Sequence, residues 1–292
     1  MEDLSELIYI DAFVNFLILH YINRQIALIQ EQKMMYKPED FDIIDMHTHP
    51  FSTPDTLIGR YWKSTDMDDF VRELNKVGVY KFAGSVIHTP AGTVDFEMIR
   101  KLNRDALMLR DRYPQYTPGI HIHGAYVEES CEELHKMHAQ GVRLIGELVP
   151  YILGTWEIGA PGTLEIFKEA EKLGMTVNLH WGTEEELQNI LTSCPKLNII
   201  LAHPGDGDNA VMRWDFVSRY PNLYMDISGT GLFRWGMLRY AVDKCGAEKV
   251  LFGSDFSTCS AGMFVYGALS ENLSYDEFKL VMGDNFRRLL GM

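Results

Sequence analysis

Cationic side chains are scarce in this 292-residue chain: 27 lysines and arginines stand against 41 aspartates and glutamates, a formal charge of −14. Such an acidic surface repels phosphate backbones, so nucleic acid is not expected as the main partner. Cysteine is scarce too. Cys131, Cys194, Cys245 and Cys259 lie far apart and form no C-x-x-C pair, which argues against a disulfide framework or a thiolate zinc site and fits a reducing, cytoplasmic setting. A long unbroken apolar run is also missing. The richest stretch, Leu7 to Ile22, is interrupted by Asp11, Asn15 and His20 and preceded by acidic residues, so neither a signal peptide nor a membrane span is expected. Finally, no G-x-G-x-x-G turn follows the first strand, which disfavours an open dinucleotide-binding sheet. Gly205 and Gly207, beside Asp206 and Asp208, come after the sixth strand, lack the third glycine and read as a loop.

What is present is an ordinary globular composition, 46% hydrophobic, enough for a sizeable core. Residues 1–34 read as a helical extension, with a helix over Leu4 to Gln32 docking on the main domain or on a second subunit of a homo-oligomer; the alternative is a natural start at Met34 or Met35. From residue 35 to 292 the pattern is regular. Short β-branched and aromatic runs alternate eight times with amphipathic stretches. Strands are expected over Phe41–His49, Lys81–His88, Thr117–His123, Val142–Val149, Met175–His180, Asn198–His203, Asn222–Ser228 and Lys249–Asp255. The helices between and after them are expected over Met67–Val77, Asp95–Arg112, Glu128–Ala139, Thr163–Leu173, Glu184–Leu191, Asp208–Arg219, Arg234–Lys244 and Tyr275–Leu290. Strands alternating with helices demand parallel pairing with right-handed crossovers, and eight such units, about 250 residues, make a (β/α)8 TIM barrel.

The polar residues then fall in a telling place. Seven of the ten histidines, His47, His49, His88, His121, His123, His180 and His203, lie at or near the carboxyl ends of these strands, the end where a barrel carries its chemistry. His47 and His49, two apart, share one strand face with Asp45. Neutral imidazoles so spaced suit a borderline divalent ion, zinc first, with manganese, iron, cobalt or nickel as options. Glu147, His180, His203 and Asp255 each end a different strand, and a barrel gathers such positions across its mouth. Taken singly, each has a structural reading: a hydrogen-bonded strand histidine, an aspartate capping the next helix, a Glu147–Arg143 ion pair.

The segments IIDMHTHP (Ile43–Pro50), GVRLIGELVPY (Gly141–Tyr151), VNLHWG (Val177–Gly182), IILAHPGDG (Ile199–Gly207), NLYMDISG (Asn222–Gly229), VLFGSDFS (Val250–Ser257) and GDNFRRLLG (Gly283–Gly291) together resemble the amidohydrolase superfamily, in the branch that includes aminocarboxymuconate semialdehyde decarboxylase. The resemblance implies a distorted barrel with a metal held by His47, His49, His180 and Asp255, and His203 as a further ligand or proton-transfer group. Glu147 stands where other superfamily members bridge two metals, as TatD-type nucleases do with a similar I-G-E segment, so one ion is expected, or two if Glu147 bridges. The sequence departs from the branch after Asp255, where Phe256-Ser257-Thr258 replaces the usual nearby proline and the following loop reads as short.

Two reactions on a small-molecule substrate are compatible with this reading. The leading expectation is hydrolysis of a small amide, lactam, lactone or ester, the ion lowering the pKa of water from about 15.7 to about 7. Asp255 would exchange the proton while His203 stabilises the oxyanion or shuttles the proton. The alternative is non-oxidative decarboxylation of an unsaturated or aromatic acid with the same ligands. A non-catalytic metal-binding scaffold and two-metal phosphodiester hydrolysis rank lower. His88, His121, His123, Tyr151 and Trp181 are candidates to contact substrate, each with a structural alternative. Asp226 and Ser228, ending the seventh strand, read as groups that hydrogen-bond substrate, with Asp226 orienting a ligand from behind as the alternative.

Overall fold

A computed structural model describes residues 35–88, 95–154 and 156–292. The helix expected over Leu4 to Gln32 lies outside the described residues. Eight parallel strands form one sheet in chain order: β1 Ile44–Thr48, β2 Lys81–Ser85, β3 Tyr116–Ile120, β4 Leu144–Leu148, β5 Thr176–His180, β6 Asn198–Ala202, β7 Leu223–Asp226 and β8 Val250–Leu251. Helices α1 Met67–Lys76, α2 Phe96–Arg112, α3 Val127–Ala139, α4 Pro161–Lys172, α5 Glu184–Ser193, α6 Asp208–Ser218 and α7 Met237–Cys245 make the crossovers. The molecule is a (β/α)8 TIM barrel.

Local sequence explains the elements. The α1 helix starts at Asp66, whose side chain accepts from the Asp68 N–H, and buries Met67, Phe70 and Leu74 along one stripe. The α5 helix starts on a Thr183–Glu186 capping box with three glutamates in its first turn, which suits the positive end of the helix dipole. The strands are buried nearly throughout, as expected of a parallel sheet covered on both faces.

Closure of the barrel is irregular. After β8 the chain runs on beside β1 through Met46 N–H to Phe252 O (3.1 Å), Asp255 N–H to His47 O (2.8 Å) and His49 N–H to Phe256 O (2.6 Å). The buried Asp45 carboxylate fastens this seam by accepting from the Ser254 N–H and hydroxyl. It therefore ties the two ends of the barrel together and does not face substrate. The opposite, amino-terminal end is sealed by the last helix: Phe286, Leu289 and Leu290 pack with Ile44, Met46, Leu144, Ile200, Tyr224 and Leu251, and Thr176 hydrogen-bonds the Leu289 carbonyl. The open mouth is thus left at the carboxyl ends of the strands.

Several expected boundaries shift. Except for β5, which ends at His180 as expected, the strands end one to four residues earlier than the patterns suggest, because the polar residues at their ends leave the ladder for the mouth. The strand expected over Lys249–Asp255 is regular only at Val250–Leu251. The α7 helix begins at Met237 and not at Arg234, since Leu232–Gly236 forms turns. The final helix expected over Tyr275–Leu290 is divided into Tyr275–Lys279, a π turn Leu280–Asp284 and Asn285–Leu290. The short loop expected after Asp255 instead carries helix α8, Ala261–Leu269.

One glycine bears directly on the site. Gly146, at φ 95°, precedes Glu147, and a Cβ there would sit 2.1 Å from the Asn178 carbonyl on β5. Gly146→Ala is therefore expected to cost about 3 kcal/mol, combining a left-handed backbone penalty with overpacking. Urea unfolding measures it, and stability within 1 kcal/mol of the parent (roughly the ordinary scatter of point mutants) would contradict the close approach.

Candidate metal centre

Five elements deliver the polar cluster. β1 supplies His47 and, just past its end, His49; β4 supplies Glu147; β5 ends on His180; His203 follows β6 and Asp255 follows β8. His203 and Asp255 both have φ 64°, a region non-glycine residues enter rarely and mostly at functional turns. Both side chains join the cluster, His203 beside Glu147 and Asp255 beside His49.

Glu147 sits at the middle. Its Oε2 is 3.2 Å from His47 Nε2 and 3.5 Å from His49 Nε2, and its Oε1 is 3.5 Å from His203 Nε2 and 4.0 Å from His180 Nδ1. Asp255 Oδ1 lies 3.2 Å from His49 Nε2. Among the described residues, two groups bring candidate donor atoms within 4.8 Å of one another: His47, His49 and Asp255, and His47, Glu147 and His203. His180 belongs to neither and stands at the rim, its Nε2 3.4 Å from the Tyr151 hydroxyl.

Outward partners fix which nitrogen faces inward. His47 Nδ1 is 2.8 Å from Asp226 Oδ2, and His49 Nδ1 is 3.4 Å from the Ser85 carbonyl. Carboxylates and carbonyls only accept, so both Nδ1 atoms donate and both Nε2 atoms turn inward.

Electrostatics favours a cation in the centre. Burial pushes the Glu147 carboxyl upward, yet His47 and His203 beside it override this and hold it well below the usual carboxylate range. Burial pulls His47 and His203 down, but Glu147, helped by Asp226, raises both. Burial lowers His180 despite Glu147. His47 Nε2, Glu147 Oε1 and His180 Nδ1 are buried without a hydrogen-bond partner. Orphaned buried acceptors are costly, and His47 and Glu147 belong to one of the two candidate groups. Imidazole nitrogens mixed with carboxylate oxygens are the donor set of a borderline divalent ion, so the residues present fit one.

An amidohydrolase family model matches residues 44–292. The chain belongs to the amidohydrolase family. Among curated proteins no similar sequence is found. Solved structures with the same fold include 2,6-dihydroxybenzoate decarboxylase from Rhizobium, 18% identical with a TM-score of 0.68, covering 86% of this chain and 99% of that one. A dihydroxybenzoic acid decarboxylase from Polaromonas sp. JS666, with bound manganese and 2-nitroresorcinol, is 16% identical with a TM-score of 0.65, covering 86% and 97%. A probable 2-pyrone-4,6-dicarboxylic acid hydrolase from Acinetobacter baumannii is 16% identical with a TM-score of 0.62, covering 86% and 100%. At these identities the likeness speaks to the fold.

The remaining candidates of this amidohydrolase separate by their surroundings. Tyr151 and Trp181 line a cavity of about 220 Å³ with Trp156, Ile158, His180 and Glu186. Arg213 lies over the Trp181 ring at 4.9 Å and donates to the His203 carbonyl. His123 is used structurally: its Nδ1 accepts from the Ala125 N–H, and its ring packs on Tyr126 and Trp156. His121 is buried, donates through Nε2 to the Val86 carbonyl at 2.9 Å, and is pushed down to about 4 by burial. His88 Nδ1 is 3.7 Å from Asp55, and His88 is in neither candidate metal group. Sequence reasoning did not single out Trp156, Arg213 or Ser254. Trp156 follows the fourth strand in a turn-rich stretch, and an aromatic there was the available signal. Among the described residues no helix is long and apolar enough to cross a membrane.

Proposed function

We propose that this amidohydrolase carries out non-oxidative decarboxylation of a small unsaturated or aromatic carboxylic acid. One observation carries the reading: the acid–base cluster adjoins, at His180, a cavity of one-ring size walled by Tyr151, Trp156 and Trp181. Flat aromatic walls suit a planar substrate. Among the described residues, the cavity of about 410 Å³ beside Leu290 and Met292 and that of about 310 Å³ beside Gly205 and Trp235 have no such cluster in their linings. The decarboxylases sharing the fold support the same choice.

His47, His49, His203, Glu147 and Asp255 would hold one divalent ion, zinc or manganese, with His180 joining from the rim. A single ion is favoured because both candidate groups depend on His47, whose other nitrogen is committed to Asp226. When bound, the ion supplies Lewis acidity toward the oxygens of the substrate. The chain does the rest. Tyr151, Trp156 and Trp181 hold the ring flat. The C–C bond to the carboxylate breaks, carbon dioxide leaves, and Asp255 gives a proton to the ring carbon that keeps the electron pair. Water then restores the donor's proton.

Hydrolysis of a small lactone or ester is the second reading, favoured by the hydrolase among the structures with this fold. Incubating the metal-loaded protein with hydroxybenzoates and with lactones separates the two. Carbon dioxide release from an acid is expected. Base uptake with a lactone and no carbon dioxide from any acid would overturn the decarboxylase reading.

A further inference from the structure

Behind the cluster, Asp226, which orients His47, is paired with Ser228. Asp226 ends β7 and Ser228 follows two residues later, both fully buried. Asp226 Oδ2 accepts from His47 Nδ1 at 2.8 Å, while its Oδ1 accepts from the Ser228 N–H at 2.9 Å and from the Ser228 hydroxyl. With its proton given to Asp226, the Ser228 oxygen has only lone pairs to offer. It sits 3.0 Å from His203 Nδ1 and 3.1 Å from His47 Nδ1. His203 Nδ1 must therefore donate to it. Gly229 makes room for this approach: at φ 67°, a Cβ there would lie 2.4 Å from His203 Nδ1.

We propose that Asp226 and Ser228 are positioning residues which lock His47 and His203, from two different strands, into the same tautomer, with Nδ1–H outward and the Nε2 lone pair toward Glu147. The inference rests on the reading of these Nε2 atoms as donors to a divalent ion. One hydroxyl coordinates the two rings, so neither can flip without disturbing the other.

The test uses the full chain, stripped of metal by chelation. Long-range ¹H–¹⁵N NMR of histidine-labelled protein reports tautomers directly, and titration with Zn²⁺ against a chromophoric chelator reports affinity. In the parent, at a pH above the raised titration of both rings, His47 and His203 are expected as Nδ1–H tautomers. Ser228→Ala is expected to release His203 into a tautomer mixture and to weaken Zn²⁺ binding by about 10- to 100-fold, the usual effect of removing a partner behind a ligand. Ser228→Thr, which keeps the hydroxyl, should restore both. Asp226→Asn can turn an amide N–H toward His47 Nδ1, and a comparable loss is expected with His47 shifted to Nε2–H. Unchanged tautomers in both Ser228→Ala and Asp226→Asn would overturn the proposal whether or not Zn²⁺ binds. Failure of the parent to bind any divalent ion would instead overturn the metal reading of the previous subsection.

Discussion

Asp255→Asn is expected to lower turnover by about 10²- to 10⁴-fold, the range for removing a positioned general acid or base, with metal content close to the parent's. The replacement is nearly isosteric, and asparagine tolerates the left-handed backbone that Asp255 adopts at φ 64°. The seam to β1 also survives, because it uses the Asp255 N–H and the Asp45–Ser254 contacts and not this carboxylate. What is lost is an oxygen able to take and return a proton. Asp255 Oδ1 faces His49 Nε2 at 3.2 Å, and its Oδ2 receives the Cys259 thiol at 3.8 Å, so the amide has room in the same place. Steady-state kinetics paired with elemental analysis decide it. Parent-like turnover at parent-like metal content would remove Asp255 from the chemistry.

The second large effect concerns stability. Glu147→Gln is expected to destabilise the chelator-treated protein by about 3 kcal/mol, the lower end for breaking a buried charge pair. Glu147 is buried and approached by His47 and His203 within 3.5 Å, so an uncharged amide leaves the positive charge favoured on these two rings unbalanced. The pH dependence follows by sign. Glu147 titrates below its unfolded value, so the stability it contributes is present above about 4.3 and is lost as pH falls through its lowered native value. His47 and His203 titrate above theirs, so their contribution is full below about 6.5 and is lost as pH rises through their raised native values. Urea unfolding of the metal-free parent should show stability declining on the alkaline side of about 6.5, and Glu147→Gln should flatten that limb. Equal stabilities and parallel pH profiles would show that Glu147 bears no such load.

The barrel was legible in the sequence because its signals are local. The alternation of β-branched runs with helical stripes places all eight strands, and helix starts such as Asp66 and Thr183 carry their caps in the adjoining residues. The cluster was legible because a parallel barrel converts strand-end position into proximity: His47, Glu147, His203 and Asp255 need no pairwise signal to meet. Other features depend on contacts no local pattern encodes. The α8 helix, AGMFVYGAL, is apolar on most sides and offers no polar face to mark its period. His180 ends its strand as expected, but the Tyr151 contact at the rim depends on a turn after β4. The Asp226–Ser228–His47 network spans 179 to 181 positions, and a D-x-S spacing by itself does not reveal which rings it faces. His123 looked like His49 in sequence, and its use by the Ala125 N–H is visible only in three dimensions.

The seal formed by Phe286, Leu289 and Leu290 also constrains how the molecule is made. Those side chains meet residues as early as Ile44, so a nascent chain emerging from the ribosome can assemble βα units in order but cannot finish its interior until Phe286 to Leu290 have been read. Until then the hydrophobic floor stays open to water and to chaperones, and a premature stop just upstream of Phe286 would yield a product with all eight strands yet still missing its floor.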